Sequence, residues 1–212
     1  MDAQANNLDF SHALSEALAF LGNSFLRPMR QTSDNGLDQS FWATFPDFGD
    51  EYVSKALDNL FSWATKEKDQ ERTQRIQGIS VEYAHLFIGP PEPAVAPWES
   101  FYVRENVSTG FGGPTFRMQE RLRSLGLAIT NENNQYADHV GIELLYCSAH
   151  LSHAAIDPQL QKSALGDFIK TDLLPWITCF SHDLNQETNG YYALLATLTV
   201  QVLTVCAEYT LY

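Results

Sequence analysis

Cysteine is scarce in this chain. Cys147, Cys179 and Cys206 are scattered through 212 residues, and no CxxC pair occurs. An odd, widely spaced set speaks against a disulfide framework and against a structural zinc site. It reads instead as buried free thiols in a reducing compartment. Positive charge is also scarce: 13 Lys and Arg face 26 Asp and Glu, a formal net charge of −13. Such a surface repels nucleic-acid phosphates and anionic lipid and favours cationic partners. No run of about 18 apolar residues is evident, so no membrane span is expected. The N-terminus lacks a basic segment followed by an apolar run, so no signal peptide is expected and the chain reads as cytoplasmic. Hairpin signals are missing, since Asn35-Gly36 is flanked by polar residues. Neither HExxH nor GxSxG occurs, and the glycines of 110–113 lack the lysine and the preceding strand of a phosphate loop.

What is present is helical periodicity. Ala13, Leu14, Ala17, Leu18, Leu21 and Phe25 mark a helix from Ser11 to Leu26, with Ser11 as its N-cap. Residues 31–50 read as short turns that pack Phe41, Trp42, Phe45 and Phe48 on the core. Further helices are expected over Glu51–Thr65, Asp69–Ile88, Thr115–Leu125 and Gln135–Ala155. Pro158–Phe180 continues the pattern with a bend at Pro175, and Tyr191–Leu211 is a long apolar helix. The expectation is one all-α domain spanning residues 1–212, of roughly seven to nine helices, with no repeat and no low-complexity tail.

The middle of the chain departs from this pattern. Four of the nine prolines fall between Pro90 and Pro97, followed by Trp98, Glu99 and Ser100. Proline fixes φ and removes donors, so the stretch is pre-extended and stiff. The segment from Glu92 to Pro114 is too long for an idle connection and reads as an exposed functional loop or hinge. Leu86, Phe87 and Trp98 would form an apolar pocket with an acidic rim of Glu92, Glu99 and Asp138, suited to a peptide that carries arginines beside an apolar run. The alternative is that Leu86 and Phe87 are core and the loop merely covers them. Asp138 and His139 are expected at a groove. His139 and Glu143, four apart on one helix, with His150 and His153 beyond, could instead serve a metal-dependent helical enzyme. The ligand set is incomplete, so no stoichiometric metal is expected.

Several of these stretches resemble one family. Tyr83, Leu86, Phe87, Gly89 and Pro90, then Pro97-Trp98-Glu99-Ser100-Phe101-Tyr102, resemble the signature of the TorD/DmsD redox enzyme maturation chaperones. So do Asp138-His139 on a helix with Leu144-Leu145, the Pro175-Trp176 element after Asp172, and the closing helix from Tyr191. The likeness covers about residues 10 to 210. It departs ahead of Asp138, where Gln135-Tyr136-Ala137 stand in place of the family's common Glu-Pro. The resemblance implies a non-enzymatic, all-helical cytoplasmic chaperone. Its partners would be the twin-arginine leader and the apo form of a molybdopterin oxidoreductase, held for cofactor insertion before export. A nitrate-reductase-type assembly chaperone with a retained client is the variant within the superfamily. The resemblance assigns leader binding to Tyr83, Leu86, Phe87, Pro97, Trp98, Glu99, Asp138 and His139. It also implies no bound cofactor beyond weak guanine-nucleotide binding, and a monomer or a domain-swapped dimer hinged at residues 92–114.

Overall fold

The computed structural model describes residues 2–66, 70–89, 91–103, 111–130, 135–152 and 158–211. They form α1 (Asp2–Leu26), α2 (Gln39–Thr44), α3 (Glu51–Lys66), α4 (Arg72–Phe87), α5 (Gly113–Ser124), α6 (Val140–Ser152), α7 (Pro158–Phe168), α8 (Leu174–Glu187) and α9 (Tyr191–Tyr209). Among the described residues there is no strand, only an isolated antiparallel bridge between Trp98 and His139. The all-α expectation holds.

Two contacts organise the bundle. The first is α1 against α6, where Gly22 and Gly141 let the two backbones meet. A Cβ on Gly22 would lie 2.8 Å from the Gly141 carbonyl oxygen, and one on Gly141 would lie 2.6 Å from that of Gly22. A turn or two along the same seam, Ser15 Oγ donates to the Ser148 carbonyl at 2.9 Å. Ser11 sits inside α1 and not at its N-cap, because the helix begins at Asp2. The second contact is α9, flanked by α3, α8 and α1. By length and mean hydropathy (1.3 over 18 residues) α9 could cross a membrane, contrary to the sequence expectation, yet 67% of that window is buried inside the protein. Its apolar character is that of a core helix.

The aromatics of 41–48 pack as expected. Phe41 lies against Phe20 with ring centroids 4.7 Å apart, and Phe48 against Phe10 at 5.5 Å. Between α7 and α8 a π-helical turn, Ile169–Leu173, runs directly up to Pro175. A proline offers no N–H to the preceding turn, and the wide turn is where the chain absorbs that loss. The thiols divide: Cys147 and Cys206 are buried, whereas Cys179 is exposed, contrary to expectation. Burial pushes the Cys206 thiol up to about 12 and the Cys147 thiol well above its ordinary value, so both are inert packing groups.

Candidate functional site

The site begins where α4 ends. Gly89 turns the chain with φ +64°, and a Cβ there would collide with the Glu92 carbonyl. Beyond it the chain doubles back on the end of α4: Gly89 N–H donates to the Ala84 carbonyl at 2.7 Å, and Val95 N–H to that of Leu86 at 2.9 Å. The last carbonyls of α4 are thereby satisfied by the loop itself. Pro90 lies outside the described residues.

The loop then clasps the start of α6. Val140 N–H donates to the Pro97 carbonyl at 2.9 Å, and Glu99 N–H to the Asp138 carbonyl at 3.0 Å. The pairing explains why α6 starts at Val140 and not at Gln135: residues 135–139 leave the helix to meet 97–99. His139 takes the N-cap position, its Nδ1 accepting the Gly141 N–H at 3.0 Å, as a Ser or Asp oxygen would.

Asp138 is the hub. One carboxylate oxygen accepts the Ser100 N–H at 3.1 Å and also the Ser100 hydroxyl. The other accepts the Thr115 hydroxyl at 2.7 Å. Thr115 Oγ1 in turn accepts the Gly112 N–H at 3.1 Å at the start of α5. One fully buried carboxylate thus ties the loop to the N-terminal ends of α5 and α6.

Two further acids surround it. Glu99 is buried, and its carboxylate accepts from Arg117 of α5 at 2.7 Å. Glu143, fully buried on α6, accepts the Trp176 indole N–H at 3.0 Å. Burial drives the Glu143 carboxyl well above the usual carboxylate range, and the nearby charges of Glu99 and Asp138 push in the same direction. Glu143 is therefore the protonated member. Burial raises Glu99 as well, opposed by the Arg117 guanidinium. His139, also fully buried, is pushed down to about 3 and is neutral. Since its Nδ1 accepts, Nε2 carries the proton. Two buried ring N–H groups in this layer, Trp98 Nε1 and His139 Nε2, have no hydrogen-bond partner, whereas the proton of Glu143 faces Glu99.

Beside the acids lies an aromatic surface. Phe111 packs on Phe116 with centroids 5.1 Å apart and on Tyr136 at 5.3 Å. All three are large groups in the open, 44%, 53% and 44% exposed respectively. Tyr136 stands two residues before Asp138, and Phe116 directly follows Thr115, so this patch borders the carboxylate hub. A separate apolar cleft of about 310 Å³ opens between the end of α1, residues 127–130 and α6, walled by Leu26, Ile129 and Leu145.

The residues singled out from the sequence divide into two sets. Pro97, Trp98, Glu99, Asp138 and His139 are brought together. Tyr83, Leu86 and Phe87 are instead buried in the interior. Phe87 packs against Phe25, Tyr83, Tyr192 and Phe180, and the Tyr83 hydroxyl donates to the Phe25 carbonyl at 3.1 Å. They are core, because the end of α4 points into the bundle. Asp138 and His139 are not groove-lining either: hydrogen bonds from three elements allow them full burial. The stretch 92–114 is of mixed exposure where it is described: Val95, Pro97, Glu99, Ser100 and Pro114 are buried, whereas Glu92, Ala94, Val103 and Phe111 are exposed; residues 104–110 lie outside the described residues. Phe111, Phe116, Tyr136, Ser100, Thr115 and Arg117 were missed by sequence reasoning. For a metal, no group of three or more Cys, His, Asp and Glu converges among the described residues. His139 Nδ1 and Glu143 Oε2 are taken up by Gly141 and Trp176, and His153 lies outside the described residues.

A family model described as nitrate reductase delta subunit matches residues 48–182. A probable Tat proofreading chaperone DmsD from Haemophilus influenzae is 30% identical over 128 residues, covering 60% of this chain and 59% of the relative. A chaperone protein TorD from a Shewanella species (strain MR-4) is 25% identical over 211 residues, covering 92% of each. The chain belongs to the TorD/DmsD family. Another TorD, from Vibrio cholerae serotype O1, is 28% identical over 138 residues, 62% of this chain and 61% of the relative. The family is one of chaperones and not of enzymes, which removes the metal-dependent enzyme as a reading. The matched span takes in the α4 end, the proline loop, the Asp138 hub, Glu143 and Trp176.

Proposed function

We propose that this TorD/DmsD-family chaperone binds the twin-arginine leader of a molybdopterin oxidoreductase and holds the apoenzyme in the cytoplasm until its cofactor is inserted. One observation carries the reading: an exposed patch of three aromatic rings borders a buried group of carboxyls. A leader of this class has arginines beside an apolar run, and the two halves of the site match those two chemistries. Exposed aromatics in contact with one another are unusual on a monomer and mark a binding surface. Pro97, Trp98, Glu99, Asp138 and His139 are assigned to holding the acidic half, and Phe111, Phe116 and Tyr136 to receiving the apolar run. Tyr83, Leu86 and Phe87 anchor the end of α4 in the core, from which the proline loop departs. The net charge of −13 attracts the cationic end over a distance of about one Debye length.

Calorimetric titration of a synthetic leader peptide tests the assignment. Micromolar affinity or better is expected for the wild type, and Phe116→Ala combined with Tyr136→Ala is expected to weaken it at least tenfold with unchanged helix content. Equal binding by the double variant places the apolar run elsewhere. The family description favours a second reading, an assembly chaperone whose client is retained and carries no leader. Wild-type protein that captures an apo-oxidoreductase yet ignores the leader peptide would support that reading instead.

A further inference from the structure

Glu99 has one cationic partner, and that partner is poised to leave. The Glu99 side chain is 5% exposed, whereas Arg117, which donates to it at 2.7 Å, is 48% exposed. Arg117 reaches the carboxylate through a single guanidinium nitrogen, a one-point contact from a group built for two. Close by, Glu143 is buried and protonated, so it adds no second anion and Glu99 is the carboxylate that a cation meets. A buried carboxylate left without a cation costs several kcal/mol or must take up a proton, so a paired cation is favoured at Glu99.

From this geometry we infer that Arg117 is a resident arginine that fills the acidic recess between clients and is displaced by an arginine of the incoming peptide. The exchange keeps Glu99 compensated throughout. A guanidinium that meets both oxygens of Glu99 replaces the one hydrogen bond of Arg117 by two, which favours the incoming arginine. A lysine ammonium is a compact, strongly hydrated charge without the planar fork, so the same recess selects arginine over lysine. Phe116 is the neighbour of Arg117 on α5, so release of Arg117 and docking on the aromatic patch occur on one helical turn. The inference rests on the leader-binding reading above.

Arg117→Gln tests it. Removal of the competitor should tighten a two-arginine leader peptide roughly fivefold to tenfold by calorimetry, where tenfold corresponds to about 1.4 kcal/mol. Arg123→Gln, an equal loss of charge at an exposed position on the same helix, should change affinity less than about twofold. Arg117→Lys keeps the charge and the fold, and should fall between wild type and Arg117→Gln because the ammonium is easier to displace. Unchanged or weaker binding by Arg117→Gln and Arg117→Lys, with the wild type binding normally, overturns the inference and leaves the leader-binding reading intact. Failure of the wild type itself to bind the peptide would overturn both.

Discussion

Asp138 accepts from Ser100 twice and from Thr115 once while fully buried. Asp138→Ala would leave the Ser100 and Thr115 donors without acceptors, and each buried orphan costs about 1–3 kcal/mol. Urea unfolding of this variant should show a loss of at least about 2 kcal/mol. Phe87→Ala, which empties the centre of the aromatic core, should cost about 3–5 kcal/mol. Phe116→Ala at the surface should stay within about 0.5 kcal/mol of wild type and lower leader affinity instead. The pH profile has two sources with opposite signs. His139 falls from 6.5 to about 3 on folding, so its contribution is complete above pH 6.5 and is lost as pH falls toward 3. The Glu143 carboxyl is raised on folding, so its contribution is complete below pH 4.5 and is lost as pH rises through its folded value. His139→Asn, whose oxygen can still accept the Gly141 N–H, should flatten the acid limb. Glu143→Gln should raise stability at pH 8 and change little near pH 4. Identical pH profiles for these variants and wild type would mean that the two groups do not titrate as their burial requires.

Elements were legible where one face is apolar and the other wet. Glu51–Lys66 and Arg72–Phe87 follow the spacing of Val53, Leu57 and Leu60 and of Ile79, Tyr83 and Leu86 within a few residues. The start of α6 was not legible, because pairing of 97–99 with 138–140 is a tertiary event that leaves no period in either segment. Asp138 and His139 looked like groove residues for the same reason: polarity signals exposure unless the compensating hydrogen bonds are known. Phe111, Phe116 and Tyr136 carry no local signal, since they come from three separate turns and meet only in the fold. The α1–α6 crossing makes a prediction at this scale. Gly141→Ala would drive a methyl into the Gly22 carbonyl, and the overpacked seam should lose about 1–3 kcal/mol by thermal or urea melting. Gly78→Ala, with open space around the position, should leave stability unchanged or slightly raised, as expected for a helix-interior glycine.

At the level of the whole molecule, the fold class and the family were readable from the sequence, and the division of labour within the site was not. The family signature concentrates on residues that build the site from behind: Tyr83, Leu86 and Phe87 as core, Asp138 as hub, and Trp176 as the partner of Glu143. The surface that would meet a client is supplied by residues outside that signature, on α5 and just ahead of Asp138. The acidic charge acts on the entire approach of a cationic leader, so association should slow as salt rises while the apolar docking persists. The most direct single measurement is calorimetric titration of the wild-type protein with two peptides that share an apolar run, one with a pair of arginines and one with a pair of lysines. Micromolar or tighter binding of the arginine peptide, with the lysine peptide at least roughly tenfold weaker, is the expected result. No binding of the arginine peptide, or equal binding of both, would contradict leader recognition at the Glu99–Asp138–Glu143 site.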